Sequence, residues 1–152
     1  MTSRNPTPRM NPMDDTPRAV AQACLDGAEA GTLHFPEILD RLGRAGFESY
    51  AVDFRRASAT YYHADGESLV LPQPPQEGPI AAAFDTTALR AAIGEAQRQA
   101  PGYSYRGFCA RARAAGCVGY IVSLAGRRAV YLGRTAETHV EHFPPMAAVA
   151  AP

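Results

Sequence analysis

A chain of 152 residues is long enough for one domain, and 46% hydrophobic residues supply the material for its core. Its 15 basic residues, all Arg, balance 15 acidic ones, so no net charge draws it to nucleic acid or a membrane surface. No apolar run approaches the ~18 residues of a membrane span, and Met1 to Asp15 lacks the apolar stretch of a signal peptide, which predicts a cytoplasmic protein.

Residues 1–15, with Pro6, Pro8 and Pro12, predict a disordered tail. Order begins at Thr16-Pro17, a cap followed by a proline at the first helical position. Val20, Cys24 and Ala28 repeat at helical spacing up to a stop at Gly31. A second helix starts at Phe35-Pro36-Glu37, carries Ile38, Leu39 and Leu42 on one stripe, and stops at Gly46. The period then changes to two: Tyr50, Val52 and Phe54 share a strand face. Thr60 to Tyr62 form a second strand, Asp65-Gly66 a hairpin turn, and Ser68 to Leu71 a third strand. A Pro-rich linker over 72–83 follows.

The series then runs again. Asp85 or Thr86 caps a helix with Leu89, Ala92, Ile93 and Ala96 inward, and Pro101-Gly102 breaks it. Ser104 caps the next, with Phe108, Cys109 and Ala112 inward and Gly116 as the stop. Tyr120, Val122 and Leu124 define a strand face, Val130 to Leu132 return the chain, and Thr138 to Phe143 form the last strand. The tail over 144–152 is expected to be flexible.

A shift of 70 residues aligns Phe35–Val70 with Tyr105–Val140 without a gap. Nine of the 36 positions are identical, among them Ala45-Gly46 with Ala115-Gly116, Tyr50 with Tyr120, Val52 with Val122, and Tyr61 with Tyr131. Chance gives about two or three. The first helices of the two series correspond with a one-residue slip. The expected fold is therefore α+β, a tandem duplication of a helix–helix–three-strand unit over 16–71 and 84–143. Its strands join in one antiparallel sheet with the helices packed on one face. The halves differ in charge: five Arg against nine acids in 16–83 give −4, and eight Arg against four acids in 84–152 give +4. This asymmetry is compatible with mutual attraction of the halves, with a solvated surface, or with an anion-binding face on the second half.

The run from Gly31 to Glu37, Ala45-Gly46, Tyr50 with Val52-Asp53, Thr60-Tyr61-Tyr62 and Asp65-Gly66-Glu67 resembles a small bacterial and prophage family labelled "phage envelope protein", YdfO-like, a domain of unknown function. Gly119-Tyr120, Leu124 to Arg128, Val130-Tyr131, Gly133-Arg134 and His139 to Pro144 carry the resemblance through the second half. It implies an internally duplicated α+β fold and no established activity or cofactor.

Three cysteines (Cys24, Cys109 and Cys117) make an odd set without regular spacing, so no disulfide framework is expected. Cys24 and Cys109 sit at apolar helical positions and read as buried hydrophobes. No phosphate-binding glycine loop, nucleophile elbow, Cys-x-x-Cys pair or His-Glu-x-x-His helix is present, and neither a metal nor a cofactor is expected. His139-Val-Glu-His142 is the most polar cluster, but a strand turns His139 and Glu141 to one face and His142 to the other. The candidate site is a pocket between the repeats formed by Tyr61, His63, Arg127, Tyr131, His139 and Glu141, suited to a small anionic or aromatic ligand. The tyrosines read equally as core residues with hydroxyls at the rim.

Two functions stay open at this point. The first is a protein-binding or regulatory module of phage-related type, without enzymatic activity. The second is an enzyme or small anionic-ligand binder using the pocket. Nucleic-acid binding is disfavoured, no membrane partner is expected, and self-association as a dimer is left open.

Overall fold

Helix ends are fixed by local chemistry. A computed structural model of the chain describes residues 16–143. The tails expected over 1–15 and 144–152 lie outside these described residues. Helix α1 runs over Thr16–Ala30 and α2 over Phe35–Arg44. Glu37 reaches back to accept the His34 N–H at 2.9 Å, and Pro36 occupies the first turn, where a missing N–H costs nothing. In the second half, α3 covers Thr86–Arg98 and α4 covers Tyr105–Ala114. Asp85 caps α3 by accepting from Ala88 N at 3.0 Å, and Ser104 caps α4 by accepting from Gly107 N at 3.0 Å.

The strands are β1 (Phe47–Asp53), β2 (Ser58–His63), β3 (Ser68–Pro72), β4 (Cys117–Ser123), β5 (Arg128–Gly133) and β6 (Thr138–His142). They form one antiparallel sheet in the order β3-β2-β1-β4-β5-β6. Pro72, expected to open the linker, instead ends β3 opposite Ser58. An edge strand tolerates a residue with no N–H to donate, and the connection proper runs over 73–85.

Each of the five elements of the second half begins 70 residues after its counterpart in the first. Register follows the same shift: β1/β2 and β4/β5 carry the same irregularity, at Phe47/Ser49 and at Cys117/Gly119. Between the halves Ala51 faces Ile121, its own counterpart, while Tyr50 faces Val122 and Val52 faces Tyr120. Phe54 N donates to Val118 O at 2.9 Å and Leu124 N to Glu48 O at 3.0 Å, the same bond made twice. These pairings place like positions of β1 and β4 opposite one another, centred on Ala51 and Ile121.

The one-residue slip expected in the first helices is two residues. Inward positions are Ala21, Cys24, Leu25 and Ala28 in α1 but Leu89, Ala92, Ile93 and Ala96 in α3, which are 68 apart. The connection 99–104 is two residues longer than 31–34 and absorbs the difference.

All four helices cover the same face of the sheet. Tyr50, Val52, Tyr61, Tyr120, Val122 and Tyr131 point into one apolar cluster with Leu25, Leu39, Leu42, Leu89, Ile93 and Phe108. Alternate strand residues face the other way, as a period of two demands. There the register lines up Val70, Thr60, Ala51, Ile121, Val130 and Val140 in one row across all six strands. Val70 is 61% exposed, Ile121 44% and Val140 40%. Among the described residues no helix is long and apolar enough to cross a membrane.

Gly46 and Gly116 end the second helix of each half at φ of +96° and +90°. Only glycine enters that region without cost. A Cβ on Gly116 would also stand 2.1 Å from the carbonyl oxygen of Ala83, where the connection passes the turn between α4 and β4. The same stretch is held by the buried Arg113, which donates to Gly78 O, and by Arg134, which donates to Ile80 O at 3.2 Å.

Candidate functional site

The helices pack as pairs, α1 on α2 and α3 on α4, and α1 also touches α4 across the halves. Glu29 and Arg106 form an ion pair there at 3.3 Å. The matching approach, of α3 to α2, is not closed. A cleft of about 620 Å³ opens between them, floored by the sheet. Its volume lies in the range of small-molecule sites.

Three elements build the walls. Phe35 and Leu39 of α2 stand on one side, Ile93 and Ala96 of α3 on the other, and Phe108 of α4 closes the back. Tyr120, Val122 and Tyr131 form the floor, and Phe143 closes the rim by meeting Phe35 edge-on at 5.1 Å between ring centres. Phe108 meets Tyr120 and Tyr131 edge-on at 6.4 and 6.3 Å. Such edge-to-face contacts stiffen an aromatic wall beyond what area alone provides.

Polar groups in this apolar setting are few. Glu141 enters from β6 on the inward side of the sheet. Its Oε1 accepts the Tyr131 hydroxyl at 2.9 Å and its Oε2 accepts the Gln97 amide from α3. Burial pushes its acid strength down, so its pKa lies above the ordinary value, with the two hydrogen bonds pulling the other way. Arg127 lies at the β4–β5 turn with φ of +53° and sets its guanidinium carbon 5.7 Å from the Phe143 ring centre, a cation–π distance.

The tyrosines hold their protons. Burial drives Tyr50, Tyr105, Tyr120 and Tyr131 well above the usual phenol range. Tyr105 and Tyr120 share a hydroxyl–hydroxyl bond of 2.9 Å, and Gln73 donates to the Tyr105 oxygen at 3.3 Å. They act as neutral hydrogen-bonding groups, not as bases. A smaller cavity of about 130 Å³ continues toward the first half, lined among others by Cys24, Tyr50, Tyr61 and Gln73, and shares Phe35, Tyr105 and Tyr120 with the cleft.

Of the six residues singled out in the sequence, Arg127, Tyr131 and Glu141 line the cleft together. Tyr61 lines the smaller cavity, its ring stacked on Tyr50 at 5.4 Å. His63 and His139 line neither, which corrects the expected convergence of all six. His63 closes its own hairpin: Nε2 lies 2.9 Å from Ala45 O and Nδ1 lies 3.0 Å from Asp65. His139 faces inward but sits one pleat from Glu141, beside the Tyr131 ring, with its pKa lowered by partial burial and by Arg90.

Phe35, Gln97, Tyr105, Tyr120 and Phe143 line the cleft without having been singled out. Tyr120 carried a signal as the counterpart of Tyr50. Gln97 carried none, since a polar residue on a helix reads as solvated surface. Among the described residues no three His, Cys, Asp or Glu side chains are grouped as metal ligands are.

Fold and site together define an α+β domain with a ligand-sized aromatic cleft on one side of a two-halved sheet. No protein-family model matches the chain, and comparison with curated proteins finds no match.

Proposed function

We propose that the protein is a binding module for a small, largely apolar molecule held in the cleft between α2, α3 and the sheet. The observation that carries this reading is the unfilled space itself. A cleft of about 620 Å³ walled by Phe35, Phe108, Tyr120 and Phe143 would be a poor way to complete a core. A carboxylate, a guanidinium and neutral hydroxyls at fixed places supply orientation. The reading replaces the protein-docking role as first choice and keeps a regulatory one open, because the cleft lies between a helix of each half. The sequence resemblance to a prophage-related family fits a regulatory binder but adds no ligand.

Ala96→Phe is the test. Ala96 lies on the wall of both cavities, so a benzyl group there occupies the shared space. The uncharged fluorescent dye N-phenyl-1-naphthylamine should bind the native chain with an emission shift and fail to bind this variant. Equal binding of the dye to both forms removes the proposal.

A further inference from the structure

We infer that the cleft selects an organic cation, an amine or quaternary centre carried on an aromatic or bulky apolar body, with Glu141 as its counter-charge. The inference rests on the proposed binding role and names the ligand class for it. It also departs from the anionic ligand that the sequence suggested.

The first ground is where the charge stands. Glu141 is the sole acidic residue of the cleft lining, and both of its oxygens take hydrogen bonds from neutral donors, Tyr131 and Gln97. No Arg or His of the described residues forms an ion pair with it. A carboxylate taken from water without a cation is costly. Its displaced acidity is set by burial and those two donors, with no guanidinium contributing. A ligand cation would supply the missing partner.

The second ground is independent of the first. The cleft that holds that carboxylate is lined by the rings of Phe35, Phe108, Tyr120, Tyr131 and Phe143. Aromatic faces attract cations and repel anions through the ring quadrupole. The neutral state of the phenols keeps the wall from becoming charged itself.

Arg127 is the obvious objection, being a cation on the same lining. It stands at the turn, over the ring of Phe143 at the rim. That ring takes up the guanidinium charge in a cation–π contact, and Arg127 is not among the groups that displace the acidity of Glu141.

The matched ions tetraphenylphosphonium and tetraphenylborate separate the readings, because they share size and shape and differ in sign. Titrated calorimetrically into the full chain, the phosphonium should bind more tightly than the borate. Glu141→Gln should weaken phosphonium binding by about tenfold or more and leave borate binding equal or stronger. Gln97→Lys, at an exposed helical position that tolerates substitution, sets an ammonium beside the carboxylate and should weaken phosphonium binding to a similar degree, which covers the case of a misfolded Glu141→Gln. Borate bound as tightly as phosphonium, with neither variant changing the phosphonium affinity, overturns the cation while leaving the binding role intact if Ala96→Phe abolishes both. Failure of both ions and of the uncharged dye to bind removes the binding role and the inference with it.

Discussion

Glu29 of α1 and Arg106 of α4 are paired at 3.3 Å, and the residues that occupy their places in the other half are Gln97 and Pro36. The correspondence uses the 68-residue offset of the first helices and the 70-residue offset of the second. One helix contact is thus tied by opposite charges, while its counterpart has an amide and a proline and stands open as the cleft. Gln97, with no cation opposite, turns to Glu141 instead. Leu71 is the counterpart of Glu141, so the first half has apolar packing where the second has a carboxylate.

The tie is a surface one, with Arg106 about half exposed, so its strength is modest. A double-mutant cycle on Glu29→Gln and Arg106→Gln, read by urea unfolding, should give a coupling of about 0.2–1 kcal/mol that shrinks in 1 M salt. A coupling that survives high salt would contradict this assignment.

Gly46→Ala and Gly116→Ala should both destabilise, and unequally. Each places a side chain at positive φ, for which the left-handed backbone costs roughly 1–2 kcal/mol. At Gly46 the new methyl meets the His63 ring, which can swing aside at the loss of its bond to Ala45. At Gly116 it meets the backbone of Ala83, which is pinned by the neighbouring Asp85 N–H to Ala115 O bond of 2.7 Å. Chemical denaturation should show the larger loss at Gly116, above about 2 kcal/mol. Equal losses would mean that the connection yields freely.

Leu42→Ala and Ile121→Thr test which face of the sheet is covered. Leu42 is fully buried beneath the helices, and its truncation should cost roughly 2–5 kcal/mol. Ile121 faces outward at the centre of the uncovered row, and Thr keeps its β-branched shape, so the change should fall within about 0.5 kcal/mol. Reversal of this order in thermal melts would place the core on the wrong side.

Glu141 should make stability depend on pH with a definite sign. Its pKa in the folded chain is raised above 4.5, so the folded state holds the proton more firmly than the unfolded one. The resulting stabilisation is full below the ordinary carboxylate range and is lost as pH rises through the raised value. Melting temperatures of the native chain relative to Glu141→Gln, taken from about pH 4 to 7, should therefore decline with pH. A rising difference would show that the carboxylate gains a cation on folding.

The element order was legible because punctuation and period agreed. Gly46 and Gly116 marked equivalent helix stops, Asp85 and Ser104 marked caps, and the alternation around Tyr50 and Tyr120 gave the inward faces. Half of the site was legible for the same reason: Tyr131 and Glu141 share a strand face by pleat, and Arg127 lies at the turn beside them. The cleft itself was not legible. It depends on whether α2 and α3 touch, which no single segment encodes. His63 misled because a histidine at a strand end reads as a site residue, and only the fold shows it bonded to Ala45 at the end of α2.

The register at Ala51 and Ile121 also bears on how the polypeptide is strung. If the halves are interchangeable about that point, the gap spanned by residues 73–85, from the end of β3 to the start of α3, is the same gap that separates the end of β6 from Thr16. A thirteen-residue join between those ends, with a new opening cut near Pro74-Pro75, would yield a circularly permuted protein with every strand pairing intact. The order in which the halves are written along the chain is then incidental to the shape they make.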